Sequence, residues 1–182
     1  MTDYFALLDQ PRAPWLDPAA LKEAYHRKTL QTHPDSATAG HENDFAELNA
    51  AYQTLQEPKQ RLHHLLALLG GAPASTTQIP AELQELFLQI GGLNQRVTQL
   101  LEKMRAASNP LSRSLLKAEV VNAQTDVGVV RDKVKTLNDA ASEQLQQINA
   151  RQIGEMAALY QRFAYLGRWS EQLDEMAFQL SL

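Results

Sequence analysis

Between residues 83 and 180, apolar side chains recur at alternating steps of three and four, in three separate runs. The first is Leu83, Leu86, Ile90, Leu93, Val97, Leu100 and Met104; the second Val120, Ala123, Val127, Val130, Val134, Leu137, Ala141, Leu145 and Ile148; the third Ile153, Met156, Tyr160, Phe163, Leu166, Trp169, Leu173, Met176 and Leu180. A mean step of about 3.5 residues puts each run on one face of a helix, and such faces escape water by packing on one another at shallow angles. The expectation is an antiparallel three-helix bundle over residues 81–182. Asn109-Pro110 suits the start of its second helix, because an Asn side chain caps and a proline fits the first helical position. Gly91-Gly92, inside the first helix, predicts either a close approach by another backbone or a kink or division there.

Residues 1–70 read as a separate, shorter helical unit. Tyr4 to Leu8 form a short apolar helix, and Asp17-Pro18 caps and starts a longer one that ends near Thr32, since His33 precedes a proline and is pushed out of the α region. A helix resumes near Glu42 with Phe45, Leu48, Tyr52 and Leu55 on one face and breaks at Glu57-Pro58; a leucine-rich helix follows and closes on Gly70-Gly71 as a glycine cap. Residues 71–80, with Pro73, Pro80 and a Ser/Thr cluster, read as the linker. The fold class expected is all-α. Trp15 is expected near the turn into the longer helix and Trp169 inside the bundle.

Composition narrows the chemistry. The chain of 182 residues has no cysteine, so thiolate nucleophiles, disulfides and thiolate-held clusters are excluded. With 17 Lys plus Arg against 21 Asp plus Glu, a net charge of -4 and no basic block, nucleic acid is not an expected partner. No run is long and apolar enough to span a bilayer, and the first ten residues lack a positively charged signal region, so no membrane is expected and the cytoplasm is the expected compartment. All five histidines lie in residues 1–69; His63 and His64 are adjacent with no third ligand spaced for a metal. No inward carboxylate pair interrupts the apolar stripes. Neither a cofactor nor an enzymatic activity is expected.

Two helices of the first unit are joined by residues 33–41, which begin with the rigid tip His33-Pro34-Asp35. An imidazole and a carboxylate flanking a fixed torsion can present an acceptor to a partner's arginine, although Pro-Asp alone also suits an ordinary turn. The surrounding residues decide between these. Asp3-Tyr4-Phe5-Ala6-Leu7-Leu8, then Leu21-Lys22-Glu23-Ala24-Tyr25-His26-Arg27-Lys28 ahead of His33-Pro34-Asp35, then Phe45-Ala46-Glu47-Leu48-Asn49-Ala50-Ala51-Tyr52, with Pro58 and Arg61, together resemble a J domain. The run from Pro58 to Gly70, and Arg162-Phe163-Ala164-Tyr165-Leu166 near the other end, are similar to the HscB-type subfamily, whose C-terminal domain is likewise a three-helix bundle.

The resemblance implies a co-chaperone that docks its second helix and HPD loop on a DnaK- or HscA-type chaperone, stimulates ATP hydrolysis there, and brings an IscU-type iron–sulfur scaffold as client. Carried over residue by residue, chaperone contact falls to His33, Pro34 and Asp35, extended by Lys22, Tyr25, His26 and Arg27, and client contact to Phe87, Leu88 and Phe163. Phe163 also lies on the third stripe, where an aromatic more often packs in a core. The chain departs from the J-domain pattern at Lys28, where an apolar residue is usual, and at Gln31, Thr32 and Ser36; it also lacks the acidic residues of the family's first bundle helix. The alternatives these departures leave open are a J-domain co-chaperone with a different client and a non-catalytic helical adaptor or oligomerisation module.

Overall fold

A computed structural model of the protein describes residues 1–31, 41–71 and 78–181; within 41–44 it describes the backbone alone. The described residues are helical and contain no strand. The helices are α1 (Tyr4–Leu7), α2 (Pro18–Gln31), α3 (His41–Gln56), α4 (Pro58–Leu68), α5 (Gln84–Ala106, preceded by a single 3-10 turn), α6 (Pro110–Gln147) and α7 (Ile153–Gln179). The fold class is therefore all-α, and the expected tip His33-Pro34-Asp35 lies outside the described residues.

The capping residues read from the sequence act as caps. The Asp3 carboxylate accepts from the backbone N–H groups of Phe5 and Ala6 at the start of α1, and the Asp17 carboxylate accepts from that of Ala19 beside Pro18. Glu57 accepts from Gln60 N–H at 2.6 Å with Pro58 at the first position of α4, and Asn109 accepts from Ser112 N–H at 2.8 Å ahead of α6. At the end of α4, Gly70 takes a φ of 71° while Gly71 N–H donates to the Leu66 carbonyl at 2.9 Å. Only a residue without a Cβ adopts that left-handed turn freely.

Two compact units result, and neither is a continuous stretch. One joins Met1–Ser75 with Ala141–Phe163; the other joins Thr76–Ala140 with Ala164–Leu182. In the first, α3 packs against α1, α2 and α4. Its core gathers Phe5, Leu8, Leu16, Leu21, Leu48, Ala51, Leu55, Leu62, Leu65 and Leu66 together with Ala141, Leu145, Ile148, Met156, Leu159 and Phe163 from the α6–α7 corner. The second unit buries the first stripe from Leu83 to Leu100, with Met104 partly buried, against Val127, Val130, Val134, Tyr165, Leu166, Trp169, Leu173, Met176 and Leu180.

The sequence assigns all three stripes to one bundle over 81–182; the contacts divide them. Helix length is the reason. With 23 residues in α5 and 38 in α6, α6 is the longer by roughly 22 Å at about 1.5 Å per residue. The apolar positions at its C-terminal end, and those opening α7, are buried by the leucines of α4 instead. Gly91-Gly92 is a second correction. Helix α5 runs through both without division, and a Cβ built on either would meet nothing within 4 Å, so neither glycine serves a close approach by another part of this chain. Trp169 is buried in the second unit as expected, whereas Trp15 is 39% exposed.

Candidate functional site

The inward face of α2 is Leu21, Ala24 and the half-buried Tyr25. Tyr25 is committed to α3: its hydroxyl donates to the Asn49 side-chain oxygen, and its ring stacks on Tyr52 with centroids 4.4 Å apart. Lys22 and His26, four residues apart, share an exposed ridge with Leu30. Tyr25 thus fixes how α2 sits on α3, while Lys22 and His26 face solvent, where a partner can reach them.

Arg27 and Lys28 are held by an acidic residue outside the helix. Asp9 follows α1 with φ 52°, in the left-handed region that Asp and Asn tolerate better than most side chains. Its Oδ2 lies 3.0 Å from Lys28 Nζ and 3.4 Å from an Arg27 guanidinium nitrogen. The Lys28 ammonium, and then Arg27, hold the Asp9 carboxyl below the usual carboxylate range. This explains how α2 tolerates a lysine four residues beyond Ala24 on its inward face: the aliphatic stem stays half-covered and the ammonium reaches Asp9.

Arg61 fastens the segment between α1 and α2. Its Nε donates to the Pro14 carbonyl at 2.7 Å and a terminal nitrogen donates to the Leu55 carbonyl at 2.6 Å. Burial draws its pKa down to about 10, with Glu57 opposing, so the side chain stays charged at neutral pH. His64 holds α1. Its Nε2 accepts from Tyr4 N–H at 3.1 Å, and its ring stacks on Tyr4 at 4.5 Å. Burial pushes its pKa down, Asp3 opposes and His63 adds to the fall, which keeps the ring in the neutral form that can accept. The roles of Asp9, Arg61 and His64 are not evident in the sequence; the one available signal was Lys28 itself, a cation on an inward stripe that calls for a carboxylate.

In the second unit, Phe87 is 46% and Leu88 71% exposed, and both line an open groove with Gln78, Ile79 and Gln84. The Phe87 ring lies 6.5 Å from that of Trp169, which supports it from below. Gly91, Gly92 and Gln95 continue the exposed surface of α5. Phe163 is different: it is 5% exposed in the core of the first unit, so it offers no surface to a client. Its place on the third stripe, not its match to the family's binding position, describes its environment. Among the described residues, no three His, Asp or Glu side chains stand close enough to hold a metal ion, and no helix is long and apolar enough to cross a membrane.

Residues 3–64 match the DnaJ domain family model. Over 160 residues the chain is 31% identical to the co-chaperone protein HscB homolog of Paraburkholderia phymatum, covering 82% of this chain and 85% of that one. The chain belongs to the HscB family of co-chaperones. A shorter similarity, 40% over 62 residues, joins the chain to the chaperone protein DnaJ of Rickettsia bellii and covers 32% of this chain and 16% of that one. The solved structure of chaperone HscB from Vibrio cholerae shares the HscB fold with it, at a TM-score of 0.58 and 22% identity over 98% of this chain and 99% of that one. Human co-chaperone HscB is similar at a TM-score of 0.57 and 21% identity, over 96% of this chain and 82% of that one. For this HscB-family chain, co-chaperone is the function.

Proposed function

We propose that this co-chaperone stimulates the ATPase of a DnaK/HscA-type chaperone through His33-Pro34-Asp35 and the Lys22–His26 ridge of α2, and delivers an IscU-type iron–sulfur scaffold held on Phe87 and Leu88. The observation that carries the reading is the pairing of a J-domain core, with Lys22 and His26 exposed beside it, with HscB similarity over 82% of the chain. The protein does no chemistry of its own in this reading. It acts in the cytoplasm, and any thiolates that hold a cluster belong to the client, since this chain has no cysteine.

One observation favours a second reading, the same chaperone partner with a different client. The exposed ridge Gln84, Leu88, Gly91 and Gln95 carries no charge, and Glu85 is the acidic residue that flanks it, so apolar contact and shape carry more of the recognition there than electrostatic complementarity. Two measurements separate the readings. Stimulated ATP hydrolysis that is lost in His33→Gln establishes the chaperone half. Titration of an IscU-type scaffold against wild type and Leu88→Glu tests the client half: binding that weakens at least about tenfold in the variant supports the scaffold, as expected for a charge placed at a central apolar contact. No binding by wild type leaves the chaperone half standing and removes the scaffold.

A further inference from the structure

The proposed docking helix carries three cations, Lys22, Arg27 and Lys28, and two of them are already engaged by Asp9. The engagement is exposed on one side, with Arg27 52% and Asp9 51% accessible at their side chains, so an incoming group can compete for it. The backbone holds the carboxylate in place. Asp9 sits at φ 52° two residues after the end of α1, and its N–H donates to the Ala6 carbonyl at 3.2 Å. Lys28 Nζ, on the inward side, lies 3.0 Å from the same Asp9 oxygen and so holds the acid to α2 independently of Arg27. Glu23, four residues before Arg27 and exposed, is the other carboxylate beside it, and it lies within α2 itself.

We propose that Asp9 is an intramolecular competitor of the partner chaperone: anchored from the inward side by Lys28, it holds Arg27 and so withholds positive charge from the docking face of α2, setting how acidic a partner surface must be to engage this helix. The inference rests on the proposed function, since it assigns a specificity-determining role for that docking. Asp9 is a positioning residue that acts through the two cations. Exposed pairs of this kind contribute little to stability, but a unit charge beside a docking face changes encounter rates and partner choice. A partner with a strongly acidic surface displaces the carboxylate, and a weakly acidic one does not.

The test is the concentration of this protein that gives half-maximal stimulation of its chaperone's ATPase, measured for wild type, Asp9→Asn and Asp9→Gly. Both replacements tolerate the left-handed backbone, so a folding defect in one does not remove the test. At a low ionic strength of about 0.02 M, the half-maximal concentration falls about threefold or more in both variants; at about 0.5 M, where screening shortens the reach of charge to a few ångströms, the difference disappears. In an Arg27→Gln, Lys28→Gln background, Asp9→Asn produces no gain. A purely structural Asp9 gives no such salt dependence. Equal half-maximal concentrations for wild type and both variants at low salt, or a gain that persists undiminished at high salt, overturn the inference while the function stands. Absence of any stimulation by wild type overturns the function, and this inference with it.

Discussion

Single side chains with long-range partners hold the J-domain unit in register. His64 is the acceptor for the backbone N–H of Tyr4, and only its neutral ring can serve. Its folded pKa lies below the ordinary imidazole value, so as pH falls below about 6.5 the unfolded chain takes up the proton first and stability declines until the folded value is passed. His64→Phe keeps the ring stacked on Tyr4 but leaves the donor without a partner. Urea melts are expected to show a loss of about 1–3 kcal/mol at pH 7.5 and a flatter stability profile as pH falls below about 6.5. An unchanged slope in that window contradicts the assignment. Arg61 serves two buried carbonyls, and Arg61→Met, which keeps the stem and removes the donors, is expected to cost about 2–4 kcal/mol in the same assay. None of these partners could be paired from sequence alone, because 60 residues separate Tyr4 from His64 and 47 separate Pro14 from Arg61. Periodicity reports which face is buried and is silent on which atoms meet across it.

At the scale of elements, local chemistry was legible. Asp17-Pro18, Glu57-Pro58, Gly70 and Asn109-Pro110 mark helix ends in the sequence and mark them in the structure, since a cap is a contact between residues two to five apart. Gly91-Gly92 was not legible in the same way. A helix-interior glycine signals a break or a close approach only if something crosses there, and here α5 continues with open space at both positions. Gly91→Ala and Gly92→Ala are therefore expected to stabilise the protein by about 0.5–1 kcal/mol each, read as a rise in the midpoint of urea unfolding. Destabilisation by either substitution contradicts the open surface. The pair also enlarges the surface beside Leu88 that a client can approach closely, and an alanine there tests whether client binding uses that closeness.

Across the whole molecule, the α6–α7 corner completes the core of the J-domain unit. The three stripes gave the number and faces of the helices, but a stripe does not say what covers it; the mismatch between α5 and α6 in length was the available sign that α5 could not cover it all. Leu145, 1% exposed in that core, is the position to probe. Leu145→Ala is expected to cost about 2–5 kcal/mol and to lower the hydrogen-exchange protection of α4, although α4 lies 77 residues or more away in sequence. Protection confined to a loss within α6 alone contradicts a shared core. The function proposed for this HscB-family chain is tested most directly by one activity. Single-turnover ATP hydrolysis by its DnaK/HscA-type chaperone is expected to accelerate at least about tenfold, a barrier change of about 1.4 kcal/mol, on addition of wild-type protein and to return to the basal rate with His33→Gln. Equal rates with and without the wild-type protein contradict the account.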